Sequence, residues 1–471
     1  MKKFLYKSSL LALSAGLLLT SCDPEIDAPS ANSGEADFSS YIAVGNSLSA
    51  GYADGGLYRE GQLSSVPALL AQQFQEVGGG EFTQPLFTEA QRNGSGYLRL
   101  TGFTAQGSPV TANVTSELAI RSQNPTLYTK YTENINNLAI PGIKTADVQT
   151  AGYGSTQGNP FFERLTDNPG QTYLQYVQAQ AQAADHTFFS IWMAENDVLG
   201  YATSGGAFLD RVITPVDKFD QNFSALVSAL DGEGKEGVLV TVPDVTAIPF
   251  FTTVGPSVKQ ALTAAGAPGF VALTGAGNTR VQLGTAQINA AQGGVYFPLT
   301  AAAYAPLLGQ PTGKYWRDLA RQASASQDPI VVRLTLAGLL ANYGIDTTSA
   351  FGVSVGNPIP SALLLDVTEV NNVKSATTAF NNIIKAQAQA RGLALWDANA
   401  YFNSILGGFS QAGVSYSPAF ITGNLFSLDG VHLTPRGYAI ATNEIIKAIN
   451  AKYNSNVPLV DETQYRAVLL P

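Results

Sequence analysis

Tyr41-Ile42-Ala43-Val44-Gly45-Asn46-Ser47-Leu48-Ser49-Ala50-Gly51-Tyr52 runs from an apolar stretch, through a glycine, into small and polar residues. Apolar residues without alternation read as a strand buried on both faces, the habit of parallel sheets covered by helices. Gly45 stops the run. A serine just past the C-terminal end of such a strand projects from the sheet edge toward solvent. In open parallel sheets that edge is where ligands bind. The stretch therefore argues for an α/β fold and nominates Ser47.

The same signal recurs along the chain. Ile135 to Ile140 ends at Pro141-Gly142, Thr187 to Met193 leads into Ala194-Glu195-Asn196, Val238 to Val242 is closed by Pro243-Asp244, and Leu393 to Trp396 forms a last short run. Helical patterns fit Val66 to Phe74, Thr172 to Ala184 and Asp217 to Leu230. Val370, Val373, Thr377, Phe380 and Ile384 recur at helical spacing until Gly392. Thr434-Pro435 supplies an N-cap and a proline at the first helical position. Strands alternating with amphipathic helices predict a mostly parallel five-stranded sheet covered on both faces. Residues 78–134 and 246–360 break the alternation and are too long for plain loops. The second has few charges and follows the fourth strand, so it is expected to cover the site as a lid lining an acyl pocket. The competing expectation is a subdomain that packs away from the site.

The chain has 471 residues, 45% hydrophobic and 13% charged, with a formal net charge of -9. A packed core follows, and the absence of any basic run excludes nucleic acid as a partner. Met1-Lys2-Lys3, an apolar core from Leu10 to Leu19, and Thr20-Ser21-Cys22 read as a secretory signal over 1–21. Leu19-Thr20-Ser21-Cys22 resembles a bacterial lipobox, which implies an acylated Cys22 as a membrane anchor. An ordinary cleaved signal with an unrelated cysteine is the competing reading. Residues 22–37 read as a flexible tether, 38–455 as the folded domain, and 456–471 as a C-terminal tail. The expected location is the outer membrane or cell surface of a Gram-negative bacterium. One cysteine and two histidines cannot build a Cys/His zinc site, so neither metal nor cofactor is expected. Trp192, Trp316 and Trp396 read as core residues.

A hydroxyl activated near neutral pH usually needs a histidine base. His186 lies at the lead-in to the third strand, at the wrong end of the sheet. His432 lies in Asp429-Gly430-Val431-His432, before the last helix. Taken alone, that motif favours a helix-entry loop whose histidine is hydrogen-bonded to its neighbours. Its company is Ser47 after the first strand, Gly142 after the second and Asn196 after the third. These are a nucleophile, a backbone N–H and a side-chain amide at strand ends of one polarity.

Gly45-Asn46-Ser47-Leu48 resembles the first block of the SGNH/GDSL hydrolases, Gly-Asp-Ser-Leu. Gly142 matches the second-block glycine, Asn196 the asparagine of the third block, Gly-x-Asn-Asp, and Asp429 with His432 the fifth block. The resemblance spans roughly residues 40 to 453. It implies a flavodoxin-like three-layer α/β/α fold and a serine ester hydrolase of the esterase or lipase kind. Ser47, His432 and Asp429 would be the catalytic residues, and Ser47, Gly142 and Asn196 the oxyanion hole. An O-acetyl esterase acting on glycans or cell wall, and a noncatalytic binding lipoprotein, are the alternatives. Two departures stand out: Asn46 replaces the usual aspartate, and Ala194 replaces the usual glycine.

Overall fold

The computed structural model describes residues 30–105, 107–324 and 326–471. Signal, lipobox and Cys22 lie outside the described residues. The central sheet has four strands in the order β1 (Tyr41–Gly45), β2 (Phe188–Trp192), β3 (Glu236–Val240) and β4 (Ala394–Trp396), all parallel. The expected second strand is only partly regular. Residues 136–140 lie along the free edge of β1, through bonds from Ala43 N to Asn136 O (2.8 Å), Leu138 N to Ala43 O (2.8 Å) and Ile140 N to Gly45 O (3.0 Å). Counted in chain order, the five segments lie 2-1-3-4-5. That order reverses direction between the first and third, which opens a crevice at their C-terminal ends.

Burial explains the strands. Ile42, Ala43, Val44, Val238 and Leu239 are all 0% exposed, as expected of a sheet covered on both faces. Helices Val66–Gln75 and Pro435–Tyr453 pack together, and helices Tyr173–Ala184, Val216–Leu230 and Val367–Arg391 form a second group. Their ends follow local chemistry. Thr172 and Gln175 make a reciprocal capping box, Gly392 ends its helix at φ 67°, and Thr434 Oγ1 accepts from Gly437 N at 3.0 Å.

The insertions carry structure of their own. Residues 78–134 hold two hairpins, Leu98–Phe103 with Pro109–Asn113 and Ile120–Gln123 with Thr126–Tyr128. Residues 246–360 enclose a separate core around Val258, Phe270, Phe297 and Phe351. Trp316 is buried there. The apolar run after Asp328 is the helix Pro329–Tyr343, none of whose residues is buried, and Ile330 and Leu334 are exposed.

Two boundary expectations need correction. The described end of the expected tether is docked rather than free: Glu35 N donates to Tyr453 O at 2.7 Å, Asn32 bridges to Asn456, and Ala36 is buried. The C-terminal tail is likewise part of the domain. Val457 and Val460 are buried, and Val460 exchanges hydrogen bonds with the Asn443 side chain. Buried apolar side chains and paired backbone groups hold both segments in place.

Candidate active site

Ser47 opens the short helix Ser47–Ala50 immediately beyond β1. The turn is built by Asn46, whose Oδ1 accepts from Leu48 N at 3.0 Å, and by Gly51, which closes the helix at φ 80°. Ser47 Oγ lies 2.8 Å from His432 Nε2, and His432 Nδ1 lies 2.8 Å from Asp429 Oδ2. Asp429 accepts further hydrogen bonds from the N–H groups of Val431 (2.8 Å), His432 (2.8 Å) and Gly55 (2.9 Å), and from Ser427 Oγ (3.2 Å). Burial alone would raise this carboxyl. The adjacent imidazole and the convergent donors instead hold it well below the usual carboxylate range. An ionised Asp429 can only accept, so it keeps the His432 proton on Nδ1 and leaves Nε2 free to accept from Ser47.

The Asp429–His432 loop is fixed from three sides. Gly430 has φ 70°, and a Cβ there would come within 2.7 Å of Leu299 Cδ1. Phe250 N donates to Gly430 O at 2.9 Å. From the other side, buried Asp54 accepts from Leu428 N (3.0 Å) and Tyr58 Oη (2.9 Å), while its N–H donates to Ser427 Oγ (2.9 Å). Arg466 stands 3.6 Å from Asp54 and pairs with Glu60 at 2.7 Å. Above the imidazole, the Tyr52 ring lies with its centroid 4.7 Å from that of His432.

Gly142 lies two residues beyond Ile140, which is bonded to Gly45, and its φ of 83° turns the chain back at the strand end. Among the described residues, the backbone N–H groups of Ser47 and Gly142 donate to no protein acceptor. Asn196 Nδ2 donates one hydrogen to Ile143 O at 3.0 Å, which leaves the second uncommitted. Asp197 anchors the same turn by accepting from Thr145 N at 2.9 Å and from Thr145 Oγ1. Ala194 occupies φ 100°, the left-handed region that favours glycine. His186 sits apart, buried between Ala181 O (3.2 Å) and Leu230 O (2.8 Å).

A cleft of about 740 Å³, its open mouth included, begins at Ser47, Asn196 and His432. Its walls are mainly apolar, with Leu199, Val245, Ile248, Phe402, Leu406 and Phe426 among them. This overturns the lid expectation. Among the described residues of the large insertion only Ala247 and Ile248 reach the cleft, whereas much of one wall comes from residues 402–433. The insertion instead braces the Asp429–His432 loop from behind and otherwise packs around its own core. No group of metal-binding side chains occurs among the described residues.

Sequence reading missed Gly55, Asp54, Ser427, Arg466 and Glu195. Asp54-Gly55-Gly56, closely following the Ser47 turn, was the available signal. Nothing local pointed to Arg466.

No protein-family model matches the sequence, and no curated protein matches it. Among solved structures, the lipase/acylhydrolase from Enterococcus faecalis aligns over 89% of this chain and 100% of its own, at 12% identity and a TM-score of 0.32.

Proposed function

We propose that this chain is a serine-dependent hydrolase of carboxylic esters whose acyl group is apolar. The observation that carries the reading is the continuous hydrogen-bonded line from Ser47 Oγ through His432 to Asp429, opening directly onto an apolar cleft. Such clefts bury acyl chains and leave a few polar groups for orientation. In the first step His432 Nε2 takes the Ser47 proton as Oγ attacks the ester carbonyl. The oxyanion forms against the free N–H groups of Ser47 and Gly142 and the Asn196 amide, each donor contributing on the order of 10²–10³ in rate. The imidazolium then gives its proton to the departing alkoxide, leaving an acyl group on Ser47. Water, deprotonated by His432, attacks the acyl carbon, and as its bond to Ser47 Oγ breaks the imidazolium returns the proton to Oγ and the carboxylic acid departs. Asp429 holds the tautomer and stabilises the imidazolium throughout. Acylation of Cys22 would tether this activity to a membrane, a reading that rests on Leu19-Thr20-Ser21-Cys22 alone.

The test pairs a fluorophosphonate probe with a panel of p-nitrophenyl esters from acetyl to decanoyl and an acetylated polysaccharide. Wild type should be labelled and should prefer medium chains, and Ser47→Ala should lose both properties while remaining folded. Turnover of the polysaccharide with none of the longer esters would favour the O-acetyl esterase. A folded wild type that neither labels nor turns over any ester would overturn the reading.

A further inference from the structure

A buried carboxyl group that this mechanism does not use lies against the nucleophile's turn. Asn46 is 0% exposed, and its Nδ2 donates to Glu195 Oε2 at 2.5 Å. Glu195 precedes Asn196, is 6% exposed and lines the cleft with Ser47. Its other oxygen, Oε1, has no hydrogen-bond partner among the described residues. No lysine or arginine among them pairs with it. Asp197, two residues further along the chain, and Tyr438 from the helix Pro435–Tyr453 are its ionisable neighbours, and His432 lies on the same cleft.

An amide has one accepting end and one donating end. The accepting end of Asn46 is committed to Leu48 N–H, the cap of the helix that begins with Ser47. The donating end must therefore meet an acceptor, and Glu195 Oε2 is that acceptor. The side-chain amide is thus oriented from both ends, and Ser47 is the next residue. An aspartate at position 46 would set oxygen against oxygen inside the protein, where the two carboxyls must share a proton or move apart.

We propose that Asn46 and Glu195 form a matched donor–acceptor pair, in which Glu195 is a positioning residue that orients the Asn46 amide and through it the Ser47 turn. The proposal rests on Ser47 being the nucleophile. Burial pushes the Glu195 carboxyl up to about 7, opposed by its own backbone N–H, then by the Asn46 amide and the nearby Trp192 indole. Either protonation state keeps an oxygen facing Asn46, so the pair survives across neutral pH in the wild type. What it does not tolerate is a second acceptor at position 46.

The test is a double-mutant cycle of wild type, Asn46→Asp, Glu195→Gln and Asn46→Asp/Glu195→Gln, read as kcat and KM against pH with a butyryl ester. Asn46→Asp should lose about 10²-fold in kcat at pH 8 with KM little changed, the scale of a nucleophile misplaced by about 1 Å. It should recover as the pH falls toward 6 and the two carboxyls share a proton. Glu195→Gln keeps an acceptor oxygen and should retain most of the activity. The double variant reverses the polarity of the bond: the amide now stands at position 195 and donates to the carboxylate at position 46. It should return to within about fivefold of wild type with a normal pH profile. Asn46→Asp behaving as wild type at every pH, or a folded double variant no better than Asn46→Asp, would overturn the pairing. Melting temperatures of the same four proteins at pH 6 and 8 separate this from the proposed function. If the wild type hydrolyses no ester, non-additive melting shifts that appear only at pH 8 still uphold the pair, and additive shifts reject it.

Discussion

Asp429→Asn is the sharpest perturbation of the site, because five donors converge on that carboxylate. His432 Nδ1 and Gly55 N–H meet Oδ2, while Val431 N–H, His432 N–H and Ser427 Oγ meet Oδ1. Asparagine can present only one oxygen. With that oxygen kept on the two backbone donors of the loop, its NH₂ faces Gly55 N–H and His432 Nδ1. Two donors then oppose a third. The imidazole relieves this by moving its proton to Nε2, and Nε2 can no longer accept from Ser47. In serine hydrolases whose orienting aspartate is replaced in this way, the wrong tautomer lowers kcat about 10⁴-fold, roughly 5.5 kcal/mol of barrier. The same loss is expected here, with KM changed less than about threefold, because Asp429 does not line the cleft. Fold is checked by circular dichroism and by the melting midpoint, which should also fall because Gly55 N–H loses its acceptor. Activity is checked by stopped-flow kinetics with a butyryl ester at pH 8, and fluorophosphonate labelling should slow in parallel. A folded variant within tenfold of wild type would refute the argument that Asp429 sets the tautomer.

Ala194→Gly should raise stability, because φ 100° strains an alanine by about 1–2 kcal/mol while glycine's added freedom in the unfolded chain returns only about 0.5–1; a fall in the urea midpoint would contradict the strain. Stability should decline as pH rises from about 4.5 to 7. The folded protein keeps the Glu195 proton up to about 7, whereas the unfolded chain releases it near 4.5. The contribution is on the order of 3 kcal/mol, and an unchanged pH slope of denaturation in Glu195→Gln would dismiss it. Leu406→Ser should lower kcat/KM for a decanoyl ester by about fourfold for each acyl methylene left facing water, near 0.8 kcal/mol each, while acetyl ester turnover stays level. Leu334→Ser, on the exposed helix away from the cleft, should change neither; a shifted chain-length preference there would restore the lid.

The amino-acid sequence alone determined four strands of the central sheet and the helices that cover it, because their signals are local. Unbroken apolar runs such as Tyr41–Val44 mark strands buried on both faces, and Thr434-Pro435 and Gly392 mark helix ends through cap geometry and positive φ. It also nominated Ser47, Gly142 and Asn196, because strand ends of one polarity share one edge of a parallel sheet, and His432 as the histidine not at the far end of that sheet, while Asp429 entered through the resemblance of Asp429-Gly430-Val431-His432 to the fifth block. Tertiary structure alone decided how they meet: the 2.8 Å contacts of His432 with Ser47 and Asp429, and the brace of Asp54, Ser427 and Arg466 behind them. It decided the walls of the cleft as well. Whether a segment such as 402–433 or an insertion such as 246–360 faces the substrate depends on which apolar surfaces find partners, and no periodic pattern records that. The large insertion turned inward on its own core. Asn46 by itself read as a departure from a motif and Glu195 drew no notice, and the two became a pair only when β1 and β2 were laid side by side. A donor finds its acceptor through space, and a linear sequence does not carry that distance.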